Sequence, residues 1–296
     1  MPDRGGSGLK MILITGGAGG VGRELTSTLV QRGYTVRAFD LPFVDFSALE
    51  GMEGVEIAKG DITDLDTVRG VVQGVDLVHH VAALLPPASE RNREKTLAVN
   101  VKGTGNLVQA IREQGGKARM IFTSTVATYG DTTADRPPIR VDHPQRPNTI
   151  YSDSKLLAER QILGAGIPFT ILRVSAIVMP ALMDPPEWPF LASQRMEFIN
   201  RADVVRALLA AVEREEATDK IFNIAGGKSW QMLGHEYIER TFPILGIPVA
   251  AAVYPEKPHY SDWYDTAEAQ AVLDYQHTPF PRFLEMLDQA VAEALA

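Results

Sequence analysis

Met11-Ile-Leu-Ile-Thr15-Gly-Gly-Ala-Gly-Gly20-Val-Gly-Arg23 decides the reading of this chain. The apolar run Met11–Ile14 reads as a buried strand and ends at Thr15. Five glycines then fall within the seven residues Gly16–Gly22, and a helically periodic segment, Arg23–Gln31, follows. A strand, a Gly-rich turn and a helix together form a phosphate cradle. Glycines admit a pyrophosphate close to the backbone, and the helix N-terminus offers unpaired N–H groups at its positive end. Gly16, Gly19 and Gly22 fit G-x-x-G-x-x-G, and Gly17, Gly19 and Gly22 fit G-x-G-x-x-G, with Gly20 and Val21 between them. A second apolar run, Tyr34–Phe39, ends in Asp40, near the spacing expected of an acid that binds ribose hydroxyls.

Composition is that of a globular domain: 296 residues, 45% hydrophobic and 22% charged. The formal net charge of −8, with no Lys/Arg-dense block, argues against nucleic acid or an anionic membrane as partner. No apolar run approaches membrane-spanning length and no signal peptide is evident, so a cytoplasmic setting is the default expectation. Cysteine is absent, which removes disulfides and thiolate metal sites. Met1–Lys10 reads as a disordered tail.

Strand-like and helix-like runs alternate through the first two thirds. Strands are expected at Val55–Ala58, Val75–His80, Arg119–Thr123, Pro168–Val174 and Lys220–Ala225. Helices are expected from Asp64 to about Val72, over Asn92–Gln114, Ser152–Leu163, Arg201–Glu213 and Arg282–Ala294, with Pro180–Pro189 as a loop. Such alternation implies βαβ crossovers: an α/β, Rossmann-like, doubly wound parallel sheet, here with a small C-terminal substrate lobe. The dinucleotide-binding domain is expected over 11–175, with 199–225 returning to it; 176–198 and 226–296 form the lobe. Ligands bind such sheets outside the C-terminal strand ends, where the Gly loop, Asp40, Asp61, Ala82-Ala83 and Ser124-Thr125 all fall.

Tyr151 and Lys155 lie four apart on a helix and share a face. An ammonium beside a phenol favours the phenolate, so the pair can exchange a proton with a substrate hydroxyl while hydride moves. Upstream, Phe122-Thr-Ser-Thr125-Val-Ala-Thr-Tyr129-Gly130 places hydroxyls at a strand end, where one can orient the reacting oxygen. His79 and His80 are adjacent on a strand, point to opposite faces and make a poor chelate, so no metal site is expected.

With Asp61-Ile62, Asn100-Val-Lys-Gly-Thr104, Leu172-Arg173 and Asp203-Val204 added, the chain resembles the extended short-chain dehydrogenase/reductases of NAD-dependent epimerase/dehydratase type. The resemblance runs from Met11 to about Ala225. It implies an enzyme with Thr125, Tyr151 and Lys155 as its catalytic residues. It puts Asp40 and Leu41 at the adenosine ribose, Asp61 and Ile62 at adenine, and Ala82 and Ala83 at the nicotinamide. Val81, Asn100, Thr123 and Val174 join Tyr151 and Lys155 among the cofactor contacts, Asn100 as a buried polar support. Leu84, Ser124, Thr125, Arg173 and Ser175 are the substrate candidates. The implied cofactor is NAD rather than NADP, because Asp40 repels a 2′-phosphate; Arg37 is the one nearby cation that speaks against this. A homodimer is implied, through the helices carrying Leu107, Ile111, Leu156, Leu157 and Ile162.

Three departures from that pattern narrow the substrate. Val126-Ala127 stands where sugar dehydratases carry Asp-Glu; no Asn follows Leu172-Arg173; and only a short loop separates Met179 from Phe198. All three point to a small substrate with no nucleotide handle: a sugar, sugar acid or related polyol. Arg91, Arg93, Arg173, Arg195 and Lys228 remain alternative carboxylate binders. The expected activity is NAD-dependent oxidation or reduction of a hydroxyl. The alternatives are an epimerase using the same apparatus and, further off, a non-catalytic dinucleotide sensor.

Overall fold

A computed structural model describes residues 11–181, 190–257 and 261–296. The expected tail Met1–Lys10 and residues 182–189 of the Pro180–Pro189 loop lie outside them. The strands are β1 (Met11–Thr15), β2 (Thr35–Asp40), β3 (Val55–Lys59), β4 (Leu77–His80), β5 (Arg119–Thr125), β6 (Phe169–Val174), β7 (Ile177–Val178), β8 (Arg195–Met196), β9 (Ile199–Asn200), β10 (Lys220–Ile224) and β11 (Met232–Leu233). The α-helices are α1 (Gly20–Gln31), α2 (Leu65–Val72), α3 (Ala88–Arg91), α4 (Arg93–Leu97), α5 (Gly103–Glu113), α6 (Ile150–Leu163), α7 (Arg201–Glu213), α8 (Gly234–Thr241), α9 (Ala267–Leu273) and α10 (Phe280–Leu295).

Seven strands form one sheet in the order β10-β6-β5-β4-β1-β2-β3, with β1 parallel to both β2 and β4, β2 to β3, and β4 to β5. This is the expected doubly wound parallel sheet. The connection reverses between β1 and β4, so a crevice opens beyond their C-terminal ends. β1 is buried along almost its whole length, as a strand covered on both faces must be.

The chain divides into two compact units. The first comprises 1–124, 149–171 and 208–220 and holds the Gly loop and α6. The second comprises 125–148, 172–207 and 221–296. Its own core is aromatic: Phe190, Phe198, Trp230, Tyr237, Phe280 and Phe283 pack together, and Trp230 donates its indole N–H to the Thr278 carbonyl at 2.8 Å.

The continuous helix expected over Asn92–Gln114 is interrupted. Asn92 caps α4 by accepting from the Lys95 N–H, and a π-helical turn, Ala98–Lys102, separates α4 from α5. A widened turn of this kind admits an extra residue into the helix and turns it locally, which side-chain periodicity does not signal.

Candidate active site

Gly16 has φ +72°, and a Cβ there would lie 2.9 Å from the Ala82 nitrogen. A Cβ on Gly17 would lie 2.9 Å from Ala38 Cα, and one on Gly22 would overlap the Gly16 carbonyl oxygen. The loop is therefore folded as tightly as glycine alone allows. Gly19, the N-cap of α1, has no side chain to satisfy the first-turn N–H groups, and Gly19 and Gly20 are exposed. An open helix terminus above a glycine-rich cradle fits a pyrophosphate.

Asp40 ends β2 and fixes this loop: its carboxylate accepts from Ala18 N at 3.1 Å and from Leu41 N at 2.9 Å. Arg37 is committed elsewhere, to Glu56 at 2.8 and 3.0 Å and to the carbonyls of Val71 and Gln73. Asp61 accepts from Thr63 N at 2.8 Å; Ile62 is buried, and its carbonyl accepts from Asn106 at 2.9 Å.

Beyond β4, the N–H groups of Val81 and Ala82 both reach the Thr15 carbonyl. The Asn100 amide sits in the π-helical turn. It accepts from Leu84 N at 2.7 Å and donates to Leu84 O at 3.1 Å and Ser154 Oγ at 2.9 Å. It thereby ties the Val81–Leu84 segment to α6. Beneath it runs a hydroxyl–imidazole chain. Thr104 donates to the Asn100 carbonyl at 2.6 Å, His80 Nε2 donates to Thr104 Oγ1 at 2.9 Å, and Thr15 Oγ1 donates to His80 Nδ1 at 2.7 Å. Burial holds His80 neutral, with its pKa well below the usual histidine range.

Tyr151 is half-buried in the first turn of α6, where the Ile150 and Tyr151 N–H groups donate to the Glu90 carboxylate at 3.0 and 2.9 Å. One turn on, Lys155 is only 2% exposed, with its Nζ 4.0 Å from the centre of the Phe122 ring. Burial pushes its pKa down to about 7, opposed by the Glu159 carboxylate. Glu159 is fully buried and accepts from Ser124 Oγ at 2.5 Å. Ser124, expected to face substrate, is thus engaged inside the first unit. Thr123 Oγ1 is buried without a protein partner among the described residues.

In the second unit, Thr125 is 8% exposed, and its Oγ1 accepts from Ala127 N at 3.2 Å, starting a 3₁₀ turn over Val126–Tyr129. The Tyr129 hydroxyl donates to Asn223 at 2.7 Å and accepts from Arg173 at 2.9 Å, while Arg173 also reaches the Val141 carbonyl at 2.8 Å. Arg173 is buried, as is Val174; Ser175 Oγ has no protein partner among the described residues. Of the other candidate carboxylate binders, Arg195 pairs with the buried Asp262 at 2.6 and 2.9 Å, and Arg93 with Asp153 at 2.9 Å; Arg91 and Lys228 are exposed. His79 and His80 share no ligand, and no group of three metal-ligating side chains occurs among the described residues.

Glu159 and Glu90 are the residues sequence reasoning missed. The spacing Tyr151, Lys155, Glu159 was there to find: three residues at successive i+4 steps form one stripe along a helix.

Comparison with known proteins agrees with the fold. A 3 beta-hydroxysteroid dehydrogenase/Delta 5→4-isomerase of Mycobacterium tuberculosis is 36% identical over 162 residues, 52% of this chain and 42% of that protein's length. The chain therefore spans less than half of that relative. A UDP-glucose 4-epimerase of Streptomyces lividans is 28% identical over 283 residues, covering 83% of this chain and 84% of the relative. A short-chain dehydrogenase/reductase superfamily protein from Agrobacterium tumefaciens, solved with bound NAD, superposes with a TM-score of 0.81 at 24% identity, over 97% of this chain and 98% of its own. The profile of the NAD dependent epimerase/dehydratase family matches residues 12–187, more than half of the chain, so the chain belongs to the NAD dependent epimerase/dehydratase family.

Proposed function

We propose that this protein is an NAD-dependent oxidoreductase that oxidises or reduces a hydroxyl of a small sugar, sugar acid or related polyol. The observation that carries the reading is the pairing on α6 of a half-buried Tyr151 with a Lys155 sealed from solvent one turn away. A buried ammonium acts through a low dielectric, so its pull on a neighbouring phenol exceeds that of a solvated lysine. Tyr151 takes the proton from the substrate hydroxyl in oxidation and returns it in reduction. Lys155 keeps the phenolate accessible near neutral pH. The Thr125 hydroxyl is assigned to hydrogen-bond the reacting oxygen.

NAD fits the residues present. The glycine loop presents backbone with no side chain in the way, the N-terminus of α1 is uncapped with Gly19 and Gly20 exposed, and the buried Thr123 hydroxyl has no protein partner among the described residues. Gly16–Gly22 would hold the pyrophosphate, Asp40 and Leu41 the adenosine ribose, and Asp61 and Ile62 the adenine. Val81–Ala83, Thr123 and Val174 would hold the nicotinamide end. When bound, NAD supplies the hydride acceptor. Asp40 disfavours a 2′-phosphate, and Arg37, tied to Glu56, does not counter it.

A second reading has a specific observation behind it. The relative from M. tuberculosis is named for a steroid alcohol, and Leu85, Ile177 and Met179 leave apolar side chains exposed after β4 and β6. A sterol alcohol therefore belongs in the substrate panel.

We also assign a homodimer, on a surface narrower than expected from sequence. Leu107, Ile111, Leu156 and Ile162 are buried within the subunit, so the available apolar face consists of Leu97, Val101 and Leu157.

The test incubates the protein with NAD and a panel of sugars, sugar acids and sterols, alongside Tyr151→Phe. Net NADH identifies a dehydrogenase, and an isomerised product without NADH an epimerase. Tyr151→Phe should lower turnover by at least ~10²-fold with NAD binding intact, because acid–base groups contribute ~10²–10⁴-fold. Near-normal turnover by Tyr151→Phe would overturn the reading.

A further inference from the structure

The most deeply buried carboxylate beside α6 has no part in the scheme above. Glu159 is fully buried, on the stripe that carries Tyr151 and Lys155. It engages Ser124, the last residue of the first unit on β5, whose hydroxyl donates to it at 2.5 Å. A carboxylate taken wholly out of water is costly unless charge or hydrogen bonds compensate. Here both are present: the Ser124 hydroxyl on one side and the Lys155 ammonium one helical turn back.

We propose that Glu159 is a positioning residue. It raises the fraction of Lys155 that stays charged, and it anchors the end of β5 through Ser124, immediately before Thr125 along the chain. The proposal rests on Tyr151 as proton acceptor, since charge on Lys155 matters only through the phenol.

The surroundings leave Glu159 as the group that decides. On its own helix, Asp153 is paired outward with Arg93, and Arg160 is exposed. From β4, the imidazole of His80 is neutral and lies within electrostatic reach of Lys155. From α3, Glu90 is spent on the first-turn N–H groups of α6. From β5, Lys155 meets the Phe122 ring, which offers a cation–π contact but no charge. From the π-helical turn, Lys102 is exposed to solvent. The opposite charge that burial demands for Lys155 therefore comes from Glu159.

The experiment titrates the Tyr151 phenol by the ultraviolet absorbance of the phenolate, taken as the difference between each protein and its Tyr151→Phe counterpart. It needs no substrate, so it stands even if the activity panel fails. Glu159→Gln keeps the size and an oxygen to accept from Ser124 while removing the charge. The Tyr151 midpoint should move up by about one unit, a tenfold smaller phenolate fraction at neutral pH. Ser124→Ala keeps the charge and should leave the midpoint in place. A midpoint unmoved in Glu159→Gln overturns the proposal, and so does an equal shift in Ser124→Ala. Should Glu159→Gln fail to fold, Glu159→Asp decides: the midpoint stays within a few tenths of the parent because the charge is kept, and a full-unit rise refutes the charge role.

Discussion

His79 gives the protein an acid-labile joint whose size can be worked out. The side chain is fully buried on β4, Nε2 donates to the Leu208 carbonyl at 3.1 Å, and Nδ1 has no protein partner among the described residues. Burial pushes its pKa down from 6.5 to about 3. Between those values the unfolded chain binds a proton that the folded chain refuses. Stability from this residue is therefore complete above pH 6.5 and is lost as pH falls toward 3. At about 1.36 kcal/mol per unit, the loss reaches about 3 kcal/mol by pH 4.5 and about 5 kcal/mol in full. Native domains hold only about 5–15 kcal/mol, so a penalty of this size is a large share of the total. His79→Leu removes both the titration and the hydrogen bond to Leu208. At pH 8 the variant should be less stable by about 1 kcal/mol, the ordinary net worth of that bond. At pH 4.5 it should be more stable by about 1–2 kcal/mol, because the proton penalty is gone. Urea unfolding of both proteins from pH 8 to 4.5 makes the comparison, and every other titrating group cancels in the difference. Two stability curves that stay parallel would refute the argument.

Three further outcomes follow from the same geometry. Gly22→Ala should abolish measurable NAD binding by calorimetry and lower Tm, since its methyl group would overlap the Gly16 carbonyl and force the cradle open. Thr125→Ser should retain most of the turnover while Thr125→Val loses ~10²-fold or more, because valine keeps the shape without the hydroxyl; equal rates for the two variants would remove Thr125 from the chemistry. Light scattering should find a dimer at micromolar concentration and a monomer for Leu157→Glu, which places a charge in the proposed apolar face; a parent protein that is monomeric ends the homodimer assignment.

The glycine turn, the doubly wound parallel sheet and the helix carrying Tyr151 and Lys155 were legible in the sequence because each is written in local chemistry. Glycines where no Cβ fits and apolar runs where both faces are covered announce themselves within a few residues; the helix was expected from Ser152, and the Thr149–Ser152 capping box starts it at Ile150. Partnerships across long sequence separations were not legible. Arg173 and Arg195 look like free cations in the sequence, but the fold spends them on Tyr129 and the Val141 carbonyl and on Asp262. Helical periodicity shows apolar stripes on these helices but not which stripe meets the sheet; of the five residues offered for a dimer face, some of which had to face the sheet, Leu107, Ile111, Leu156 and Ile162 are buried within the subunit.

Lys155 shows what separates a motif from a mechanism. The spacing Tyr151/Lys155 fixes two groups on one helical face, but spacing says nothing about solvent. Set in water, that lysine would be fully charged at neutral pH and its field screened within about 10 Å. Sealed against Phe122 with its pKa pushed down to about 7, it is poised between its two charge states, and its field is far less screened. Small changes nearby then change how much ammonium the phenol sees. The ring of Phe122, the carboxylate of Glu159 and the hydroxyl of Ser124 come from β5 and from two turns down α6. On the proposed reading, those residues turn a common four-residue spacing into a tunable acid–base pair. They are also where substitutions that never touch substrate should move the pH dependence of the reaction.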